Sequence, residues 1–126
     1  MNTVAEKSST GLDANVAAAL TYIPVIAIVF LVIEKGSRFV KFHSVQSLIF
    51  CAALFVASLA LSIVQFVAAM VPVLGWIVSF GLLLVWPVLF IGCFIAWIIA
   101  VIKAFQGEWF KFPYIGNIAE QQSVNL

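Results

Sequence analysis

The side chains with chemistry to offer lie close together. Glu34, Lys35, Arg38, Lys41, His43, Ser44 and Ser47 fall within one short stretch of an otherwise apolar chain. A histidine beside serines raises nucleophilic catalysis, in which the imidazole takes a hydroxyl proton and a carboxylate orients the ring. No carboxylate is clearly spaced to orient His43. The chain has one histidine, so a His-based metal cluster cannot form within one protomer. No Gly-rich phosphate loop occurs. Cys51 and Cys93 lie inside apolar runs with no second ligand at a metal-like spacing, and read as small packing residues. These residues therefore point away from an enzyme and call for no cofactor. A lipid-modifying reaction built on His43 is the remaining catalytic alternative. Otherwise His43 is a headgroup-depth residue donating to a carbonyl, a neighbouring helix or a lipid phosphate.

The cations have a plainer use. Lys35, Arg38 and Lys41 precede His43, and each basic side chain near an anionic surface contributes about 1 kcal/mol. The segment 35–43 is thus expected to meet anionic headgroups. Glu34 is expected to pair with Arg38 or Lys41, an exposed ion pair of about 0–1 kcal/mol.

The elements that must carry these residues are set by composition. Of 126 residues, 65% are hydrophobic and 9% charged, with a mean hydropathy of +1.22. Soluble domains carry about a quarter charged residues. The apolar residues come in runs too long for core elements, which makes the chain an all-α membrane protein with one domain. A formal net charge of +1 and the lack of any basic tract exclude nucleic acid as a partner.

Three transmembrane helices are expected, over about residues 14–33, 45–70 and 76–105. Asp13 is placed to cap the first and Pro24 to kink it. Because the first run ends in Glu34 and Lys35 with no small-residue cleavage site, it reads as a retained anchor. Ser37 is placed to cap a second helix on the order of 50 Å long, well beyond the roughly 30 Å of hydrocarbon. Pro72 and Gly75 mark a turn, Pro87 a kink in the third helix, and Gly107 its end. Splitting the third run at Pro87 would give four spans, but its halves are shorter than the roughly 20 residues needed. Residues 108–114 mix aromatics with Lys111 and read as an interfacial segment. Residues 1–12 and 117–126 are expected to be flexible. With three spans, Lys35, Arg38, Lys41, Lys103 and Lys111 share one side and Lys7 the other. The positive-inside rule then puts the N-terminus outside and the C-terminus in the cytoplasm.

Helices in lipid associate through small residues and a few hydrogen bonds. On the second helix His43, Ser47, Cys51, Ser58, Ser62 and Gln65 fall within roughly 100° of one another. On the third, Gly92, Ala96, Ala100 and Ala104 recur every four residues. Phe55, Phe66, Leu83, Phe90 and Trp97 lie off these stripes and face lipid or fill gaps. The stripes are read as packing faces of a non-enzymatic assembly component that joins copies of itself or other membrane proteins. A channel lined by the stripe from Ser47 to Gln65 is the alternative, although no ionisable group lies between Val45 and Ile102 to mark an ion route.

Four stretches carry a resemblance: residues 10–17, 34–47, 72–76 and 103–120. Within them, Arg38-Phe39-x-x-Phe42-His43-x-x-Gln46-Ser47 and Lys103, Gly107, Pro113 and Gly116 are the recurring motifs. The chain resembles small prokaryotic membrane proteins of unknown function related to the chloroplast import component called Tic-twenty-like. Magnetosome membrane proteins of the MamF type look like a branch of that group. The resemblance implies a helical bundle of three or four spans that self-associates or joins a larger assembly, and a prokaryotic inner membrane or one derived from it. Through the import component it also implies protein translocation.

Overall fold

A computed structural model describes residues 8–124. In these residues the chain forms five helices and no strand: α1 (Ala14–Leu20), α2 (Pro24–Ile33), α3 (Arg38–Ala68), α4 (Pro72–Phe105) and α5 (Ile115–Val124). They divide into two compact units, one of residues up to Cys51 and from Trp97 onward, the other Ala52–Ala96.

The main departure from expectation is the first span. Residues 14–33 are two helices, of 7 and 10 residues, and not one kinked helix. Two helices, α3 and α4, are long and apolar enough to cross a membrane, where three were expected. Pro24 is the physical cause. Its ring disfavours helical geometry in the residue before it, and Ile23 is extended at φ −92°, ψ 117°. Pro24 then starts α2 in the first turn, where its missing N–H costs nothing.

The two ends of this broken segment meet. The Glu34 carboxylate accepts from the Ser8 hydroxyl, from the Ser9 amide at 2.9 Å and from the Ser9 hydroxyl at 2.9 Å. It also accepts from the amide of Ser37 at 2.9 Å. Ser9 Oγ in turn accepts from the Lys35 and Gly36 amides at 2.8 and 3.1 Å. Glu34 is therefore a buried tie between the entry to α1 and the exit from α2, not the exposed member of an ion pair. Residues 8–12, expected to be flexible, are folded onto it: the Ser8 amide donates to Leu12 O and the Gly11 amide to Ser8 O. Residues 1–7 lie outside the described residues.

In the first unit, Ala14, Ala17, Ala18 and Ala19 bury α1, and Ala27 and Phe30 bury one face of α2. Ser37 caps α3 as expected, accepting from the Val40 amide at 3.2 Å. α4 ends in a Schellman motif: the Glu108 amide donates to Lys103 O, the Gly107 amide to Ala104 O, and Gly107 takes φ +78°. The tail from residue 117, expected to be flexible, is helical over most of its length. Residues 115–124 form α5, and Ala119 joins Phe42 and Val45 in a buried cluster flanked by Leu31 and Ile49.

The second unit is the far half of α3, from Ala52, and α4 up to Ala96, joined by a three-residue turn. Pro72 starts α4 rather than belonging to a longer turn, and Pro87 sits within a helix that continues past it. A Cβ on Gly75 would lie 2.9 Å from Ala68 O, so only glycine allows this return. Phe55, Phe66, Leu83 and Phe90 are all exposed, as expected for lipid-facing positions.

Burial penalises the Glu34 charge, but the donors from Ser8, Ser37 and Ser9 outweigh it and hold its carboxyl down at about 2, below the ordinary 4.5. A group depressed in this way stabilises the fold fully above pH 4.5, and that contribution is lost as the pH falls towards 2. Amide-exchange protection at Ser9 and Ser37 in detergent should therefore collapse across that window. In Glu34→Gln it should already be low at neutral pH and change little on acidification.

Candidate functional site

The polar residues of the first turns of α3 do not face solvent. His43, Ser44 and Gln46 are fully buried, and Ser47 nearly so. What they meet is backbone. His43 Nε2 lies 3.1 Å from Glu108 O. Gln46 Nε2 donates to Phe110 O at 2.9 Å, and the Phe112 amide donates to Gln46 Oε1 at 3.0 Å. The residues engaged, 108, 110 and 112, alternate along a segment with no helix or sheet to pair its own amides and carbonyls. Two side chains one helical turn apart do the pairing instead.

Tyr22, at the break between α1 and α2, completes the network. Its hydroxyl lies 2.6 Å from His43 Nδ1 and accepts from Gln46 Nε2 at 2.7 Å. These contacts assign the protons. Glu108 O can only accept, so Nε2 carries the imidazole hydrogen. In a neutral ring Nδ1 is then the acceptor, and the Tyr22 hydroxyl donates to it. The two Gln46 amide hydrogens go to Tyr22 and Phe110, and every group named has a partner. The Trp97 indole donates to Tyr22 O at 2.7 Å, satisfying a carbonyl freed where the helix breaks.

Aromatic rings close over this clasp. Phe39 and Phe42 pack on His43 with centroids 4.6 and 5.0 Å apart and on Trp109 at 5.4 and 4.9 Å. The Arg38 guanidinium lies 5.9 Å from the centre of the Trp109 ring. Phe112 stacks on Phe50. The exposed pairs Lys103–Glu108 and Lys111–Glu120, at 3.3 and 2.9 Å, add about 0–1 kcal/mol each. Gly116 is required by close approach: a Cβ there would lie 2.2 Å from Lys111 Cβ. Pro113 is exposed, followed by Tyr114 at φ +63°.

The structure thus joins the two sequence motifs into one unit. Arg38, Phe39, Phe42, His43 and Gln46 hold the segment that Lys103 and Gly107 launch and Pro113 and Gly116 terminate. Lys41 is half-buried beside them. The packing stripes separate into two parts. Ser47 and Ala100 are buried, whereas Cys51, Ser58, Gln65 and Ala96 are half-buried and Ser62 and Gly92 exposed. Sequence reasoning missed Tyr22, Ser8 and Ser9. A tyrosine inside an apolar run was the available signal, since its hydroxyl needs a partner wherever it is buried.

The model of the magnetosome magnetite crystal formation protein family, MamF/MmsF, matches residues 8–119. The chain belongs to this family. It is 42% identical over 110 residues to a UPF0132 membrane protein of Archaeoglobus fulgidus, covering 86% of this chain and 93% of that one. A UPF0132 membrane protein of Methanocaldococcus jannaschii is 42% identical over 119 residues, covering 93% and 94%. A second from that organism is 31% identical over 123 residues, covering 96% and 78%. No solved structure matches the chain. With these relatives and two candidate spans, this MamF/MmsF chain is a membrane protein, and the MamF-type part of the resemblance holds.

Replacing Gln46 with Leu strands Phe110 O and the Phe112 amide in an apolar setting and should cost about 2–4 kcal/mol. Tyr22→Phe strands Nδ1 and one amide hydrogen and should cost about 1–3 kcal/mol. Unfolding in detergent and proteolysis between Gln106 and Tyr114 check both. Gly116→Ala should cost about 1–3 kcal/mol through overpacking, read as lost amide protection in α5.

Proposed function

We propose that this MamF/MmsF chain is a non-enzymatic assembly component of a prokaryotic inner membrane or a membrane derived from it. The observation that carries this reading is the uncovered small and polar side of the spanning helices. Gly81 and Gly92 have nothing within 4 Å of where a Cβ would stand, and Ser62 is exposed between bulky neighbours. Small residues in lipid let backbones approach closely, and a second helix laid there gains packing that lipid tails do not supply. His43, the one histidine of the chain, is enclosed and engaged on both ring nitrogens. Among the described residues no three His, Cys, Asp or Glu gather as a metal site.

The partner is a second copy of this chain or another membrane protein, and Lys35 and Arg38, both exposed, meet anionic headgroups. The family description speaks of magnetite crystal formation. In such a setting this chain would organise the membrane around a process carried out by other components. A second reading, a translocation path, draws on the half-exposed Ser58 and Gln65 beside exposed Ser62 on α3.

Cysteine crosslinking tests the assembly reading. With Cys51 and Cys93 replaced by alanine, Gly92→Cys should give dimers or larger species in native membranes, and adding Ser58→Leu should reduce them. Monomers alone would count against self-association. Ion flux or peptide passage in liposomes, abolished by bulky residues at Ser58 or Ser62, would favour the path instead.

A further inference from the structure

The broken segment Ala14–Ile33 has a consequence for how the chain sits in its membrane. At 1.5 Å per residue α1 and α2 are about 10 and 15 Å long, half or less of the roughly 30 Å of hydrocarbon. Their outer ends are fastened together, because Ser8 and Ser9 donate to Glu34. A chain whose residues 8–9 touch residue 34 has gone in and come back.

The surface of this hairpin is suited to acyl chains. Val25, Ile28, Val29 and Val32 are 71%, 54%, 48% and 71% exposed, on the side of α2 away from buried Ala27 and Phe30. No charged residue occurs between Asp13 and Glu34. Several groups of the irregular backbone at the tip are paired, which lipid depth favours. The Thr21, Tyr22 and Ile23 amides donate to Ala18, Ala19 and Leu20 carbonyls, and Tyr22 O accepts from Trp97. Thr21 and Tyr22 are buried in protein.

We propose that α1 and α2 form a re-entrant hairpin seated among the acyl chains of one leaflet, so that the chain crosses the bilayer twice. α3 leaves from the basic segment and α4 returns to it, since Glu108 O lies against His43. Residues 8–12, 34–43 and 103–111 then share one side. Lys35, Arg38, Lys41, Lys103 and Lys111 all lie there, while the α3–α4 turn carries no charge. By the positive-inside rule that side is the cytoplasm. This arrangement replaces the three-span expectation, in which residues preceding α1 lie opposite the basic segment. It is independent of whether the protein self-associates.

The test uses the full chain with Cys51 and Cys93 replaced by alanine and one cysteine introduced by Thr10→Cys, Lys35→Cys or Met70→Cys. A membrane-impermeant maleimide is applied to right-side-out and inverted vesicles. Thr10→Cys and Lys35→Cys should both label in inverted vesicles only, and Met70→Cys in right-side-out vesicles only. Labelling of Thr10→Cys and Lys35→Cys from opposite faces would overturn the proposal. A nitroxide on Val29→Cys should be relaxed more by oxygen than by a water-soluble nickel complex. The reverse order would put the hairpin outside the bilayer and overturn it equally.

Discussion

Polar backbone that belongs to no helix has to be paired by something else, and the rest of this structure follows from how that is done. Residues 108–112 leave α4 with amides and carbonyls that no helix or sheet pairs. Gln46 and His43 supply partners at alternate residues, and Tyr22 connects those two side chains to each other. The arrangement permits one placement of protons. A network of that kind selects one conformation, because any shift leaves several groups unpaired at once. The Schellman turn at Gly107 aims the segment along α3, and the missing Cβ at Gly116 lets α5 fold back onto Lys111.

A second tie does the same for the other end of the chain. Glu34 gathers hydroxyl and amide donors from both sides of a hairpin whose helices are too short to stand alone. The residues that most resemble catalytic or ligand-binding groups are thus engaged internally. The uncovered small residues lie on α3 and α4, beside bulky ones. That division is why assembly rather than catalysis is the reading we favour for this family member.

Much of this was legible from residue types. Long apolar runs marked the two helices that are long enough to cross a membrane, and Ser37 and Gly107 marked a start and an end. The motifs that carry the family resemblance contain His43 and Gln46 of the clasp but not Tyr22. The first span differs from its hydropathy because hydropathy records composition and not continuity: Ala14–Ile33 is mostly apolar, yet Ile23, preceding Pro24, is out of helical geometry. The partners of Glu34 and His43 were hidden for another reason. Charge pairing suggested Arg38 or Lys41 for Glu34, whereas serines 25 and 26 residues away reach it. His43 finds its partners at residues 22 and 108, and no local spacing rule reports contacts so distant in sequence. The helicity of residues 115–124 was likewise invisible, since it depends on Ala119 packing against Phe42 and Val45.

The clasp is tested most directly by nitrogen-15 NMR of the imidazole in lipid or detergent. His43 is the only histidine in the chain, so its signals need no assignment. The spectrum should show a single tautomer, with a slowly exchanging hydrogen on Nε2 and an unprotonated Nδ1 accepting a hydrogen bond, and a changed Nδ1 signal in Tyr22→Phe. Averaging between tautomers with rapid solvent exchange, or a hydrogen on Nδ1, would contradict it.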